Sequence, residues 1–197
     1  MRPAPPGAGG TRPCRRKGER PINETLKILE SRRSVRQYDP RPVEREKLEA
    51  ILEAGKYAPS AMGRQSVTMA VLTRREDIAR LSALNAAVMH ADADPFYGAP
   101  CVVVVLADPA ATTAANAQRD GSLTMGNLMN AAWSLGVSSC WINRAEEVFA
   151  APEGKALLRR WGLPETLVGV GNCILGYAAG DIPAPAPRKD TLVKFVD

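Results

Sequence analysis

Histidine is almost absent from this chain, which has a single one, His90, among its 197 residues. Charge-relay triads and many zinc sites depend on imidazole groups, so this scarcity argues against both. His90 itself is expected at the surface rather than facing a substrate. The four cysteines are Cys14, Cys101, Cys140 and Cys173, and no two of them have CxxC spacing. We therefore expect reduced thiols of a cytoplasmic protein, with neither a metal site nor a disulfide framework.

Aromatic residues make up only 5% of the chain, whereas 45% of its residues are hydrophobic. This composition favours one compact domain with a largely aliphatic core. No apolar run approaches the ~20 residues of a membrane-spanning helix, and the longest, residues 101–107, is typical of a buried strand. No GxGxxG follows a predicted strand, and GxxxxGKS/T does not occur. We expect no membrane partner, and neither a Rossmann nor a P-loop domain.

The net charge of +5 comes from one end of the chain. Residues 1–20 contain six of the 26 basic residues and one of the 21 acidic residues, so residues 21–197 are balanced. The high isoelectric point therefore does not indicate nucleic acid binding. We expect a disordered basic tail over residues 1–20, without a secretory signal, followed by a folded domain over residues 21–197.

The apolar pattern and the turn signals predict helices and strands without a regular strand–helix–strand alternation. Asn23 can cap the first helix, and Gly136 can end a long alanine-rich one. The predicted helices cover residues 24–31, 42–56, 76–84, 114–135 and 146–161, the last broken at 152–154. The predicted strands cover residues 67–73, 101–107, 137–142, 168–175 and 191–196, with an extended proline arm at 183–187. This order favours an α+β fold, in which helices cover a mixed central sheet.

The most informative segment is the basic segment, residues 32–36, which reads Arg-Arg-Ser-Val-Arg directly after the first predicted helix. Arginine side chains bind phosphate oxygens through two parallel hydrogen bonds, so this cluster is suited to one phosphate group. The alternative is a solvated basic face, which is the usual role of a charge run.

Four segments follow one another along residues 23–190 in a specific order. They read Arg-Arg-Ser-Val-Arg-Gln-Tyr at 32–38, Ala-Pro-Ser-Ala-Met-Gly-Arg-Gln at 58–65, Leu-Gly-Val-Ser-Ser-Cys-Trp-Ile at 135–142, and Gly-Tyr at 176–177 followed by Pro-Arg-Lys at 187–189. Each segment alone is a weak signal. Together, in this order and spacing, they resemble the nitroreductase family of FMN-dependent oxidoreductases.

The resemblance implies a nitroreductase-like fold and a domain-swapped homodimer with two FMN molecules at the subunit interface. The basic segment matches the part that holds the FMN phosphate and ribityl chain, and a cation pair near the end of the chain matches a second phosphate contact. The residues concerned are Arg32, Arg33, Ser34, Arg36, Arg188 and Lys189.

Two further segments are implied to contact the flavin ring. A loop from the partner subunit passes the flavin, and a strand end turns its backbone amides toward the N5 and O4 edge. The loop residues are Pro59, Ser60, Ala61, Met62, Gly63 and Gln65, and the strand-end residues are Trp141, Ile142, Asn143 and Arg144. A donor near N5 would stabilise the reduced flavin anion.

The loop departs from the pattern that the family usually has. Gly63 stands at the position of an asparagine, and Ser66 with Val67 replaces a Pro-Trp pair. Glycine has no side-chain amide to offer, so we expect either weaker FMN binding or a larger pocket.

Several of these residues also have purely structural interpretations. Ser60 can be a turn residue, Gln65 can cap an element end, and Trp141 at an apolar strand end can belong to the core. Asp120 and Asn127 on the long helix are expected in solvated or interhelical positions rather than beside the flavin.

The function implied is electron transfer from NADH or NADPH through FMN to a small organic acceptor, such as a nitroaromatic compound or a quinone, with ping-pong kinetics. The chemistry belongs to flavin N5, so no catalytic side chain is needed. The alternative is a non-catalytic FMN-binding protein, an FMN store or a redox sensor, which the Gly63 departure favours. A nucleic-acid tether formed by the basic tail is a third, weaker interpretation.

Overall fold

The computed structural model describes residues 21–196, so the expectation of a disordered tail and the position of Cys14 lie outside the described residues. Within that range the chain forms six helices and five strands. The helices are α1 (Glu24–Ser31), α2 (Arg45–Lys56), α3 (Arg75–Met89), α4 (Ala114–Ser134), α5 (Ala145–Ala150) and α6 (Pro152–Arg160). The strands are β1 (Tyr38–Asp39), β2 (Val67–Leu72), β3 (Cys101–Ala107), β4 (Ser138–Ile142) and β5 (Val168–Ala178).

The strands form one sheet with β5 at its centre. One edge of β5 pairs with β3, which pairs in turn with β2. The opposite edge of β5 pairs with β4 over residues 172–176 of β5 and with β1 over residues 177–178. All of these strand pairs are antiparallel. Every residue of β3 is buried, as expected for its uninterrupted apolar sequence. The α+β prediction with helices over a central sheet is confirmed, but the strands of that sheet are antiparallel rather than mixed, and the one parallel contact in the described chain is the isolated bridge between Ser34 and Ser139.

Helices cover both faces of the sheet. On one face α2 and α4 contribute Leu48, Ile51, Met125 and Leu128 to a buried aliphatic cluster. On the other face α3, α5 and α6 pack against the sheet through a second cluster, which includes Leu81, Phe149 and Leu158. None of the described helices combines the length and the apolar character that a membrane crossing requires.

A bulge in β5 brings the backbone of two elements close together. Val105 pairs with Gly171 and Leu106 pairs with Gly169, which leaves Val170 as the extra residue. A methyl group built on Gly169 would lie 2.1 Å from the carbonyl oxygen of Ala145, the first residue of α5. Gly169 therefore allows α5 to start directly against the sheet, next to the end of β4.

Caps explain where several helices begin and end. The Asn23 side chain accepts a hydrogen bond from the Leu26 N–H at 2.9 Å, which confirms the predicted N-cap of α1. Helix α3 runs five residues beyond the predicted end, because no turn signal interrupts its alanine-rich sequence before His90. His90 is exposed and ends the helix in the left-handed conformation, with φ of 52°.

Two features of the chain differ from the expectation. The predicted strand at residues 191–196 is wrong: a 3₁₀ turn covers Asp190–Leu192, and the following residues pair with no strand of the described chain. A strand needs a neighbour as well as a suitable sequence, and here no neighbour lies beside it. The two-residue strand β1 was not expected, since its sequence carries no alternation.

The described cysteines are free and buried: Cys101, Cys140 and Cys173. Burial removes water from around the thiols, which raises the pKa of Cys101 to about 12 and the pKa of Cys173 further still. These two thiols therefore stay protonated, and structural rather than reactive, at neutral pH.

Candidate functional site

The basic segment is attached to the first half of β4. The Val35 N–H donates to the Ser139 carbonyl oxygen at 3.1 Å, and Ser34 forms an isolated parallel bridge with Ser139. On the other side the Tyr38 hydroxyl donates to the Val35 carbonyl oxygen at 2.9 Å. These bonds fix the arginines that follow α1 at the edge of the sheet.

Two guanidinium groups of this segment have buried nitrogens without acceptors. Arg33 uses one nitrogen, Nη1, to donate to the carbonyl oxygens of Glu30 at 3.0 Å and Arg32 at 2.5 Å. The remaining buried nitrogens, Arg33 Nε and Nη2 and Arg32 Nη1, have no partner among the described residues. A buried charged donor without an acceptor is costly, so this arrangement fits an anion that offers several oxygens. A phosphate group has that chemistry.

Ser139 of β4 lies beside the arginine cluster, because its backbone pairs with Ser34. It was not identified as a site residue from the sequence. Its hydroxyl is fully buried and has no hydrogen-bond partner in the described chain. The signal available in the sequence was the Ser-Ser pair that opens an otherwise apolar strand. The hydroxyl can supply one more contact to an anion that the arginines hold.

The other cations predicted for the phosphate are not gathered at this place. The side chains of Arg36, Arg188 and Lys189 are exposed and make no hydrogen bond or ion pair with the described residues. The proline arm does pass the arginines, since Pro183 and Pro185 line the same cavity as Arg33. The structure therefore brings together Arg32, Arg33 and Ser34 and leaves Arg36, Arg188 and Lys189 in solvent.

The end of β4 forms a constrained turn into α5. Trp141 is half-buried against Gly171 of β5, in keeping with the core interpretation, and Ile142 is buried on the other face. Asn143 is exposed, and Arg144 has a φ of 78°, a left-handed conformation that side chains rarely adopt. Arg144 forms an ion pair with Glu147 at 2.8 Å, which lowers the pKa of that carboxyl.

The loop at residues 59–66, called the 59–66 loop here, also contains left-handed backbone. It forms a short 3₁₀ turn, Ala61–Gly63, with positive φ at Met62 and Gly63, and again at Gln65. The Ser60 hydroxyl oxygen accepts a hydrogen bond from the Gln65 N–H at 2.9 Å, so Ser60 is a turn residue. Gln65 caps no helix or strand end, and Met62 is 89% exposed.

Helix α4 anchors this loop through a buried acid. Asp120 is 4% exposed and accepts hydrogen bonds from the Ala61 N–H at 2.9 Å and from the Ser66 hydroxyl at 2.8 Å. The expected solvated or interhelical position of Asp120 is therefore corrected: it contacts the loop. Asn127 is interhelical as expected, since its side-chain amide donates to the Ala54 carbonyl oxygen of α2 at 3.0 Å.

The loop and the arginine pair lie at different ends of α4. Asp120 holds the loop near the start of the helix, whereas the Trp133 indole donates to Ser31 beside the arginines near its end. At 1.5 Å per residue these two positions are about 20 Å apart along the helix. One copy of the chain therefore does not bring the 59–66 loop onto its own arginine pair.

Two other kinds of site receive no support from the described residues. No group of three or more His, Cys, Asp or Glu side chains within residues 21–196 is arranged to hold a metal ion. A cavity of about 880 Å³ lies between α3 and residues 92–100, lined in part by Ile78, Ser82 and Asp94. None of the predicted site residues lines it, so we assign the site to the buried arginines rather than to the larger cavity.

Comparison with known proteins shows the family to which the chain is similar. A model of the nitroreductase family matches residues 29–177. A nitroreductase of Bacteroides fragilis with bound FMN is 31% identical, with a TM-score of 0.82 over 89% of this chain and 100% of that one. A nitroreductase of Desulfitobacterium hafniense with bound FMN is 29% identical, with a TM-score of 0.80 over the same shares.

A third relative adds information about the electron donor. A protein of Archaeoglobus fulgidus, provisionally named an NADH dehydrogenase/NAD(P)H nitroreductase, is 33% identical over 160 residues, which are 79% of this chain and 86% of that protein. The family match and the fold thus agree with the family resemblance of the sequence. The chain belongs to the nitroreductase family.

Proposed function

We propose that this protein is an FMN-dependent oxidoreductase that takes electrons from NADH or NADPH and passes them to a small organic acceptor, of the nitroaromatic or quinone type. The observation that carries the proposal is the set of buried guanidinium nitrogens of Arg32 and Arg33, namely Arg32 Nη1, Arg33 Nε and Arg33 Nη2, which have no acceptor in the described chain. The FMN phosphate supplies the oxygens that these donors need. The FMN bound by two relatives of similar fold supports the same assignment.

The residues divide the binding of FMN among three segments. Arg32, Arg33 and Ser139 hold the phosphate, and Ser34 holds the ribityl chain beside it. Asn143 and Arg144 form the turn that follows the end of β4. Asn143 is four residues beyond Ser139, a distance of about 13 Å along an extended chain, and in the proposal this turn offers its backbone amides to the flavin ring. FMN bound there would supply the redox chemistry, and the residues of the chain would bind it, orient it and polarise its edge.

The exposed cations complete the assignment. Arg36, Arg188 and Lys189 lie in solvent in the described chain, and in the proposal they serve as secondary contacts on the phosphate side. The proline arm that precedes Arg188 already runs beside Arg33. Their contribution is smaller than that of the buried pair, because exposed charges are screened by water and salt.

A homodimer with FMN at its interface is the second part of the proposal. The 59–66 loop lies about 20 Å along α4 from the arginine pair, and in the proposal it contacts the flavin held by another copy. The chain end supplies a reason to dimerise: Leu192, Val193, Phe195 and Val196 are 68–90% exposed. Exchange of this segment between two subunits buries those side chains and gives the domain-swapped arrangement.

Deleting residues 191–197 tests the exchange. Because burying a single large apolar side chain contributes about 1.5–3 kcal/mol, we expect the deletion to raise the dimer dissociation constant at least about tenfold. Light scattering across a dilution series measures it, with deletion of residues 1–20 as the control that leaves association unchanged. A molar mass of 21.1 kDa for the full-length protein, which is that of one subunit, contradicts the proposal. So does a dimer dissociation constant that the deletion leaves unchanged.

Steady-state kinetics tests the reaction. In a ping-pong mechanism the donor leaves before the acceptor binds, so double-reciprocal plots at several quinone concentrations give parallel lines with NADH or NADPH. Intersecting lines would mean that donor and acceptor are bound together, which contradicts the ping-pong order. If the protein retains FMN but oxidises neither NADH nor NADPH, the alternative applies, and the protein is a non-catalytic FMN-binding protein.

A further inference from the structure

The backbone of the 59–66 loop is strained, and the hydrogen bonds within the loop close its turn without attaching it to the rest of the fold. Met62, Gly63 and Gln65 have φ values of 53°, 66° and 48°. Two of these three residues carry a side chain and rarely adopt such angles. Residues 62–65 are all exposed, so packing does not impose the conformation. The attachment of the loop to the rest of the fold must therefore come from the residues at the two ends of the stretch.

Asp120 supplies that constraint from helix α4. One carboxylate oxygen, Oδ1, accepts from the Ala61 N–H before the left-handed stretch, and the other, Oδ2, accepts from the Ser66 hydroxyl after it. The Ser66 carbonyl oxygen accepts in turn from the Asp108 N–H at 2.8 Å, which ties the same residue to the end of β3. The carboxylate therefore joins the beginning and the end of the loop and fixes both to the rigid part of the fold.

We propose that Asp120 is a positioning residue, whose carboxylate holds the 59–66 loop in the conformation that receives the flavin of the partner subunit. The contact of the loop with the partner subunit's flavin rests on the proposed function. The clamp, by which the Asp120 carboxylate holds Ala61 and Ser66, is a property of a single chain. A small cavity of about 160 Å³ lies beneath the loop, lined by Asp120, Ser60 and Gln65. Without the clamp the loop can close into that space and move away from the interface.

Four variants separate the clamp from general stability. Asp120→Ala removes both acceptors, and Ser66→Ala removes only the hydroxyl donor. Asp120→Asn keeps Oδ1 for the Ala61 N–H and offers its amide to the Ser66 oxygen, so it should restore the loop. Gln118→Ala is the matched control, because Gln118 of the same helix donates to the Gly169 carbonyl oxygen at 3.1 Å and does not touch the loop.

The first readout needs no flavin. Arg64 is exposed within the loop, so trypsin cleavage after Arg64, followed by mass spectrometry on apo-protein, reports loop opening. We expect cleavage about tenfold faster in Asp120→Ala and Ser66→Ala, because loss of one buried hydrogen bond is sufficient for that change. Asp120→Asn and Gln118→Ala should be cleaved at the wild-type rate. Equal rates in all five proteins would overturn the clamp.

The second readout is the dissociation constant for FMN, together with the visible circular dichroism of the bound flavin. We expect binding about tenfold weaker and an altered dichroism in Asp120→Ala and Ser66→Ala, with recovery in Asp120→Asn. If the loop opens but FMN affinity and dichroism stay at wild-type values, the positioning role is wrong while the clamp stands. If the wild-type protein binds no FMN, the proposed function fails, and the proteolysis still decides the clamp.

Discussion

The Arg32→Ala/Arg33→Ala double variant should lose FMN while its apo-protein melts no lower than the wild type. Hydrogen bonds between charged groups contribute about 1.5–3 kcal/mol each, so removing two guanidiniums should weaken FMN binding by roughly 10²–10⁴-fold. The stability of the apo-protein should stay level or rise, because the buried nitrogens of these arginines have no acceptor and their desolvation is uncompensated. Flavin fluorescence gives the affinity, and calorimetry of the apo-protein gives the melting temperature.

Arg36→Ala is the matched control for this prediction. Arg36 belongs to the same segment but is exposed and makes no bond to the described residues, so its removal should change FMN affinity by no more than about threefold. If the single exposed arginine matters as much as the buried pair, the phosphate is held elsewhere. The same conclusion follows if the double variant keeps wild-type affinity.

Gly169→Ala should unfold much of the protein at temperatures at which the wild type is stable. The added methyl group would lie 2.1 Å from the Ala145 carbonyl oxygen and 2.3 Å from its carbonyl carbon, which are backbone atoms that cannot rotate away. Overpacking against fixed atoms costs about 3 kcal/mol, a large part of the stability of a small domain. The free energy of unfolding, measured by denaturant titration, should fall by that amount.

Gly171→Ala provides the comparison within the same strand. Its methyl group would meet the Trp141 indole at 2.3 Å, a side chain that can shift, so we expect a loss of about 1 kcal/mol and a change in tryptophan fluorescence. Equal losses in the two variants would mean that the close approach of α5 to the bulge is not a rigid feature.

The elements with the strongest local signals were predicted best. β3 was predicted with its observed bounds, because seven apolar residues stand between Pro100 and Asp108. The Asn23 cap was predicted because its interaction is confined to the first turn of α1. The strand expected at the end of the chain failed for the opposite reason: pairing depends on a neighbour that local sequence does not specify.

The site was predicted by residue type but not by environment. The sequence identified Arg32 and Arg33, yet burial of their nitrogens depends on the pairing of Ser34 with Ser139, more than a hundred residues away. The role of Asp120 was missed because its partners lie 54 and 59 residues earlier, and one of them is a backbone N–H that no side-chain pattern reveals.

The central claim is that this chain binds FMN in a form that a nicotinamide reduces. The most direct measurement is the visible absorbance of the FMN-reconstituted protein under anaerobic conditions, before and after one equivalent of NADH or NADPH. The account predicts a yellow protein whose absorbance bleaches upon addition of at least one of the two donors. A protein that retains no FMN, or one whose bound flavin stays oxidised with both donors, would contradict it.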